Sequence, residues 1–348
     1  MAFSEVKPLK PWAKTPKQMF PLGLIFSASF FGTLLVIAIT PLKGKLGFVF
    51  SFFLLATLFS LVRNMRKRGR KAIGETIAAS LIFTGSMIVF LPVFSILFTT
   101  LKNGISGLHL TLFTQSMANA AFVDPVGNGG LLHALIGTIY LILISVVFSV
   151  PMGIMTALYL TEIKGPGSNF IQFVVQAMSG VPSVVAGLFI FSSIILTTPI
   201  KASALAGAFA LSILMIPTVT RTSQEVLLLV PGDLREAGLA MGATQWRTVA
   251  TIVVPAARNG LITATILGVA RIAGETAPLI FTIGGADKVN LNPFSDYNSA
   301  LPFYVWKGLS LGTPESIARA WSGILVLITL VLSLFILARS LGGQKMRK

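Results

Sequence analysis

Long apolar segments separated by short polar stretches constrain the fold of this chain more than any other feature. The first segment, residues 20–40, has no charged residue and, at 1.5 Å per residue, is long enough to cross a hydrocarbon core of about 30 Å. Comparable segments occupy residues 46–62, 77–100, 131–161, 170–198, 202–230, 259–283 and 320–338. Because 54% of the residues are hydrophobic and 11% are charged, we predict an all-α, polytopic helical membrane protein with about eight transmembrane helices.

Lys and Arg are concentrated on one side of these segments. About nineteen fall in stretches that the positive-inside rule assigns to the cytoplasm and about six in the others. The rule predicts that both termini are cytoplasmic. Residues 46–62 are at the short end of the spanning range, so a re-entrant hairpin is the alternative there.

The densest basic cluster, Arg63-Asn64-Met65-Arg66-Lys67-Arg68-Gly69-Arg70-Lys71, follows the second apolar segment. Topology accounts for this cluster and for the net charge of +16, because a nucleic-acid-binding protein would carry a basic face on a soluble fold. We therefore predict contact with membrane lipid and none with nucleic acid. A dedicated lipid-binding role for the cluster is an alternative to topology.

The sequence contains few of the residue patterns that enzymes and metal-binding proteins use. The chain has no cysteine, and its two histidines, His109 and His133, lie apart without a carboxylate motif. No Gly-x-x-x-x-Gly-Lys-Ser/Thr loop is present to cradle a nucleotide phosphate, and no Ser-His-Asp or paired-carboxylate constellation occurs. We predict that the chain is not an enzyme and binds no metal or cofactor of its own.

A polar, glycine-containing stretch at residues 231–255 interrupts the apolar pattern on the predicted cytoplasmic side. Asp233 is predicted to cap a short helix, with Glu236 in its first turn near the positive end of the helix dipole, and Gly242 is predicted to end or bend it. The small side chains of Ala237 and Ala243 leave room for another protein to approach. A helix docking into a groove of a soluble partner and an amphipathic interfacial helix both fit these properties.

A resemblance separates these two readings. The stretch resembles the EAA signature of ABC importer permeases, which in that family forms a coupling helix that enters a cleft of the ATP-binding subunit. The matching residues are Glu236, Ala237, Gly238, Gly242, Ala243, Ile252 and Pro255. Gly238 stands in place of the second alanine of the signature, and Val254 in place of a leucine.

A second motif narrows the resemblance. Arg271-Ile272-Ala273-Gly274-Glu275-Thr276-Ala277-Pro278-Leu279 is similar to a segment of the A-type permease subunits of the Pst phosphate importers. The companion permease of those systems usually has Met-Ala-Val after Gly-Glu-Thr, so the Ala-Pro-Leu here favours the A subunit. The resemblance covers residues 77–341 and implies a type I ABC importer permease core, leaving residues 20–62 as an extra hairpin.

Charged residues inside the apolar segments are predicted to line the transport pathway. An arginine at mid-helix is costly in a bilayer unless it faces water or a partner, and its planar fork fits phosphate oxygens. We expect Arg221, Arg271, Glu275, Ser183 and Thr276 to line the pathway. Two alternatives stay open: Arg271 with Glu275, and Arg221 with Glu225, could form intrahelical ion pairs, and residues 179–183 could be a kink that serves only packing.

The resemblance also implies partners, location and domains. It implies a second permease subunit in a heterodimer, two copies of an ATP-binding subunit that carries the ATP and Mg²⁺, and an extracytoplasmic phosphate-binding protein, all at a bacterial inner membrane. The predicted domains are a tail at 1–19, the extra hairpin and basic loop at 20–72, and a permease domain at 73–348 with its core at 131–340. Transport of sulfate or molybdate, or an ATP-independent transporter or channel, are the alternative functions.

Overall fold

The described residues fold almost entirely into helices. The structure is a computed structural model that describes residues 16–40, 44–69 and 72–342. Within those ranges the only β-structure is one isolated bridge between Gly284 and Asn298. The prediction of an all-α chain is therefore confirmed. Most of the predicted tail, residues 1–15, and the basic residues at 345–348 lie outside the described residues.

The chain divides into two compact units, one up to Leu97 and one from Phe98 onward. The first unit contains helices α1 (Pro16–Ile39) and α2 (Lys45–Arg68) and most of α3 (Ala72–Ser106). α1 packs on α2 through edge-to-face phenylalanine pairs, such as Phe26 with Phe52 at 5.3 Å between ring centroids. Aromatic rings favour this geometry because a ring's positive edge meets its neighbour's negative face.

The second unit begins with the end of α3. Its other helices are α4 (Leu110–Thr114), α5 (Leu132–Leu158), α6 (Ser168–Ser179), α7 (Ser183–Ile190), α8 (Ala204–Leu228), α9 (Gly232–Ala240), α10 (Gln245–Thr248), α11 (Val254–Ala273), α12 (Ala277–Thr282), α13 (Leu301–Leu311) and α14 (Pro314–Gly342). Three π-helical turns, Tyr159–Ile163, Phe191–Ile195 and Val249–Val253, continue α5, continue α7 and join α10 to α11.

Six of the described helical segments are long and apolar enough to span a membrane: Gly47–Arg66, Ile73–Ser106, Leu132–Ile163, Ala204–Leu228, Gln245–Ala273 and Pro314–Ser340. The pair α6 and α7, bent by 103°, makes a seventh if it counts as one span. The apolar stretch Gly23–Ile39 within α1 is shorter. Each of the eight predicted segments thus has a helical counterpart.

Two predicted spans are not single straight helices. Residues 170–198 divide at Gly180-Val181-Pro182, because a proline has no backbone N–H and begins a helix more readily than it continues one. Residues 259–283 divide at Gly274, where α11 ends, and Pro278 then lies in the first turn of α12. The helix that leads into this break starts earlier than predicted, at Gln245.

The second unit is built around α8, which packs against α5 and α11. Small residues allow these helices to approach closely: a Cβ on Gly153 would lie 2.9 Å from Val219 Cβ, and one on Gly268 would lie 2.8 Å from Val219 Cγ2. Ser145 on α5 also donates a hydrogen bond to the Ala208 carbonyl at 3.1 Å. Close packing of small residues and hydrogen bonds between helices are the usual means of association in a membrane.

Two basic residues, His133 and Arg319, are buried in the second unit. The His133 ring packs against that of Tyr304, with 5.8 Å between ring centroids. Arg319 is fully buried on α14, and its Nη2 donates to the carbonyls of Pro125 and Asn128 at 2.8 and 2.7 Å. Arg319 therefore holds the loop that precedes α5.

Candidate functional site

α9 forms the centre of the stretch predicted to be a coupling helix. Its last helical residue is Ala240, and Gly242 closes the helix end with a φ of 81°, in the left-handed region that glycine adopts at little cost. The Gly242 N–H donates to the Leu239 carbonyl at 2.9 Å and the Ala243 N–H to the Gly238 carbonyl at 3.2 Å. These two bonds form a Schellman motif, which satisfies the last carbonyls of a helix. The predicted end of the helix at Gly242 is confirmed.

The start of α9 differs from the prediction. Pro231 occupies the N-cap position, and no side chain caps the helix, so Asp233 lies in the first turn and is not the cap. A proline at this point fits because the first N–H groups of a helix need no partner within it. The Asp233 carboxylate lies near the positive end of the helix dipole, whereas Glu236, predicted in the first turn, is exposed in the second.

Gly238 is buried because the end of α10 and the π turn after it pack directly on it. A Cβ at this position would lie 2.8 Å from both Thr248 Cγ2 and Ile252 Cδ1. Those separations are shorter than ordinary van der Waals contact, so an alanine here would have to displace its neighbours. The local packing therefore explains the glycine where the EAA signature has its second alanine.

The opposite face of this region is open and apolar. Leu239 is 50% exposed, Met241 88% and Trp246 64%, and Ala237 is also exposed. Large side chains of this kind, next to the charged Glu236, form a surface suited to a protein partner. Ile252 and Pro255 lie on the other side of the turn, where Ile252 packs against the helix.

An ion pair that sequence reasoning missed fixes α9 to the transmembrane helices. Arg235 Nε and Nη2 donate to Glu162 Oε2 and Oε1, each at 2.8 Å, and Glu162 is only 4% exposed. The same guanidinium donates to the carbonyls of Leu227 at 2.9 Å and Val230 at 2.6 Å, at the end of α8. Hydrogen bonding to the Glu162 carboxylate raises the pKa of Arg235 above its ordinary value.

This cluster joins three elements through one side chain. Glu162 lies in the π turn after α5, Arg235 lies on α9, and the two carbonyls close α8. Gln245 adds a bond from its Nε2 to the Glu162 carbonyl at 2.6 Å. The pair is separated by 73 residues, so no local pattern in the sequence predicts it.

The predicted pathway arginines have a different environment. Arg271 lies in the last turn of α11 and not at mid-helix as predicted, because the break at Gly274 follows it. It is exposed, and Nη1 donates to Thr218 Oγ1 on α8 at 3.2 Å. Arg221 is exposed three residues beyond Thr218, on the same side of α8. The structure thus brings the Arg271 guanidinium within about one helical turn of Arg221.

Neither proposed intrahelical ion pair forms. Glu275 lies beyond the end of α11, so it does not share a helix with Arg271, and Arg221 and Glu225 share α8 without pairing. Within residues 16–40, 44–69 and 72–342, the ion pairs between described residues join Arg235 to Glu162 and Lys307 to Asp287. The alternative in which each of these two arginines forms an intrahelical ion pair with the glutamate four residues later is therefore wrong.

Ser183 and Thr276 are located at the two helix breaks. Ser183 is the first residue of α7, and Thr276 directly precedes α12. The two short helices pack closely, since a Cβ on Gly187 would lie 2.6 Å from Pro278 Cα. Interrupted helices are tolerated at membrane depth where they are buried in protein or line a cavity. No group of three His, Cys, Asp or Glu side chains that could hold a metal is found in the part of the chain that the structure describes.

Comparisons with known proteins agree with the motifs. Residues 149–347 match the family described as "Binding-protein-dependent transport system inner membrane component". The chain is 35% identical over 263 residues to "Phosphate transport system permease protein PstA 1" of Mycobacterium tuberculosis, covering 75% of this chain and 86% of the relative. It is 38% identical over 256 residues to "Phosphate transport system permease protein PstA" of Haemophilus influenzae, covering 70% and 85%. Among solved structures, the inward-facing MetNI methionine ABC transporter matches 61% of this chain and 93% of its own at 18% identity and a TM-score of 0.47.

Proposed function

This chain belongs to the family of binding-protein-dependent transport system inner membrane components, and we propose that it is the permease subunit of an ATP-driven ABC importer that carries inorganic phosphate into a bacterial cell. The observation that carries the proposal is the combination of the family match with a short helix, closed at its C-terminal end by a Schellman motif, that presents an open apolar face. Phosphate is the substrate proposed because both relatives above are named for its transport.

The proposed coupling element is α9 with the turn that follows it. Glu236, Ala237 and Ala243 lie on or beside its accessible surface, while Gly238, Gly242 and Ile252 shape and anchor it. A soluble ATP-binding subunit would dock here, on the cytoplasmic side, and would supply the ATP and Mg²⁺ and perform the hydrolysis. Movement of that subunit would pass to α5 and α8 through the pair of Arg235 and Glu162.

The proposed pathway lies beside α8, where Arg271 and Arg221 are accessible. Both guanidinium groups have donors to spare, since Arg271 makes a single side-chain hydrogen bond, to Thr218, among the described residues. Such donors match the oxygens of phosphate. Glu275, Ser183 and Thr276 border the adjacent helix breaks, where hydroxyl and backbone groups would complete the path of the anion.

The remaining partners follow from the same proposal. A second, related permease would complete the pore as a heterodimer, two ATP-binding subunits would bind the two coupling helices, and an extracytoplasmic phosphate-binding protein would deliver the substrate. Both termini of this chain would be cytoplasmic. Transport requires that the loaded binding protein and ATP favour different states of the pore.

Reconstitution tests this proposal. We expect proteoliposomes containing this chain, the second permease and the ATP-binding subunit to take up labelled phosphate only when ATP and the phosphate-loaded binding protein are present. Excess unlabelled phosphate should compete, and sulfate and molybdate should not. Uptake that persists without the ATP-binding subunit would indicate a secondary transporter or channel and would overturn the proposal, whereas competition by sulfate alone would change only the substrate.

The docking step has a separate test. Replacing Glu236 with lysine reverses a charge on the exposed side of α9 and should abolish co-purification of the ATP-binding subunit while this chain and the second permease stay together. Arg339→Gln, an exposed substitution at the end of α14, is a control for a charge change away from α9 and should retain the subunit. Full retention in Glu236→Lys would remove α9 from the docking surface.

A further inference from the structure

The first unit contains a groove that the proposed transport function does not use. It has a volume of about 420 Å³ and lies between α1 and α2. Its walls are mostly apolar and include Leu24 and Ala28, one turn apart on α1, and Phe59 and Val62 on α2. A groove of this composition on a membrane hairpin accepts hydrocarbon more readily than any polar ligand.

Two arginines, Arg63 and Arg66, line the same groove at the end of α2. They are three residues apart and therefore lie on one side of the helix. Neither has a hydrogen-bond or ion-pair partner among the described residues, and the Nε of Arg63 is buried without an acceptor. A buried donor without an acceptor is costly, so this end of the groove is suited to a ligand that brings oxygen atoms.

We propose that this groove is a binding site for an anionic phospholipid. The acyl chain would lie along Leu24, Ala28, Phe59 and Val62, and the phosphate would accept hydrogen bonds from Arg63 and Arg66. Arginine forks match phosphate geometry, and basic pockets between helices at a membrane surface are typical sites for anionic headgroups. The basic residues that follow in sequence, up to Lys71, favour a lipid with a net negative charge over a zwitterionic one.

Photocrosslinking of the full chain tests this inference. The chain would be reconstituted into phosphatidylcholine nanodiscs with a trace of photoactivatable phosphatidylglycerol, and crosslinked peptides would be mapped by mass spectrometry. We expect crosslinks at residues 24–28 and 59–62, and competition by unlabelled phosphatidylglycerol but not by added phosphatidylcholine. Equal competition by both lipids would indicate an unselective lipid contact, and competition by inorganic phosphate would indicate a free-phosphate site. Either result would overturn the proposal.

Matched variants locate the headgroup and the acyl chain. The double variant Arg63→Gln/Arg66→Gln should lower crosslinking at least about fivefold, since each basic residue near a membrane surface contributes on the order of that factor. The double variant Arg258→Gln/Arg339→Gln, which removes two positive charges from exposed positions outside the groove, should not. Equal loss in both would assign the effect to general surface charge.

The apolar part of the site has its own pair of variants. Ala28→Phe would fill the groove without removing either arginine, whereas Ser27→Phe places the same ring on an exposed neighbour that does not line it. We expect crosslinking to be lost in the first variant and retained in the second. Retention in both would overturn the groove as the site, even if the arginine variants were too unstable to purify.

Discussion

The guanidinium of Arg235 makes four hydrogen bonds, two to Glu162 and two to backbone carbonyls, whereas that of Arg271 makes one, to Thr218. Both lie in the same unit near α8. Arg235 is fixed between three elements beside a nearly buried carboxylate, and Arg271 is exposed at a helix end. The two arginines therefore differ in the number of partners that the chain itself supplies.

That difference separates a mechanical role from a binding role. A side chain with nearly all of its donors occupied holds neighbouring elements at fixed distances and has little left for a ligand. A side chain with most of its donors unoccupied gains more from an arriving anion than it loses by leaving its present partner. In the proposed importer, the first arrangement suits force transmission from α9, and the second suits a passing phosphate.

The variant with the largest expected effect on stability tests the Arg235–Glu162 pair. Arg235→Ala would leave Glu162 nearly buried without its cation, remove the side-chain donor to the Val230 carbonyl, and leave the Leu227 carbonyl with only its backbone donors. We expect a loss of about 2–4 kcal/mol, measured as a fall in the thermal midpoint of the purified chain. Uptake driven by ATP should be lost with it.

Controls for this variant are available on neighbouring residues. Arg247→Ala removes an exposed arginine on α10 that has no side-chain partner among the described residues and should leave the thermal midpoint unchanged. Arg235→Lys should recover only part of the loss, because a lysine cannot reproduce the bidentate contact. A thermal midpoint for Arg235→Ala equal to that of the parent protein would contradict the distinction between the two regions.

Arg271→Ala tests the exposed arginine and should reduce transport without affecting folding. Removing one of the proposed contacts to phosphate should lower uptake by about tenfold to a hundredfold, the range expected for a hydrogen bond to a charged group. The thermal midpoint and the assembly with partner subunits should stay at parental values. Uptake of labelled phosphate and size-exclusion profiles measure the two properties on the same preparation.

Two further variants sharpen that result. Arg221→Ala should reduce uptake as well, and Arg339→Ala, on an exposed part of α14, should not. Loss of assembly in Arg271→Ala would instead mean that this arginine serves packing, and the contrast with Arg235 would disappear.

Sequence patterns predicted the features that depend on local composition. The apolar runs gave the all-α class and the helical segments, because a membrane span must satisfy its backbone internally over about twenty residues. The end of α9 was predictable because few residues other than glycine readily adopt the left-handed conformation that Gly242 has there.

The features that were missed depend on contacts between distant segments. The Arg235–Glu162 pair joins residues 73 positions apart, and neither residue is marked by its neighbours. The predicted cap at Asp233 was wrong because Pro231 begins the helix earlier. Spacing of four suggested two Arg–Glu pairs, but a break after Ala273 separates Arg271 from Glu275, and Arg221 and Glu225 remain unpaired with each other on α8. The roles of the pathway residues stay predictions.

A smaller effect is expected where α9 contacts the end of α10 and the π turn after it. Gly238→Ala introduces a Cβ 2.8 Å from Thr248 Cγ2 and from Ile252 Cδ1, and overpacking of this kind costs about 1–3 kcal/mol. We expect a lower thermal midpoint and weaker stimulation of ATP hydrolysis by the loaded binding protein. Thr248→Ser in the same chain removes one clashing methyl group and should restore part of both.

Gly232→Ala, on the same helix, is the matched control for this variant, because a Cβ at that position would have no neighbour within 4 Å. It should behave like the parent protein. If Gly238→Ala were as stable as Gly232→Ala, the packing of Ile252 would not restrict the side chain at position 238. The Arg235–Glu162 ion pair alone would then hold α9 in place.

The smallest expected effect concerns the turn that ends α9. Gly242→Ala would place a Cβ in open space but at a φ of 81°, so the cost is conformational only and should be about 1 kcal/mol. Gly242→Asn should cost less, because asparagine tolerates the left-handed region better than alanine does. Thermal midpoints of the two variants, read against Gly232→Ala, measure this difference. A larger fall in the thermal midpoint for Gly242→Ala than for Gly238→Ala would mean that the Schellman turn, and not the packing at Gly238, fixes the position of α9. The Arg235–Glu162 pair would then hold a helix whose end is determined by its own backbone hydrogen bonds.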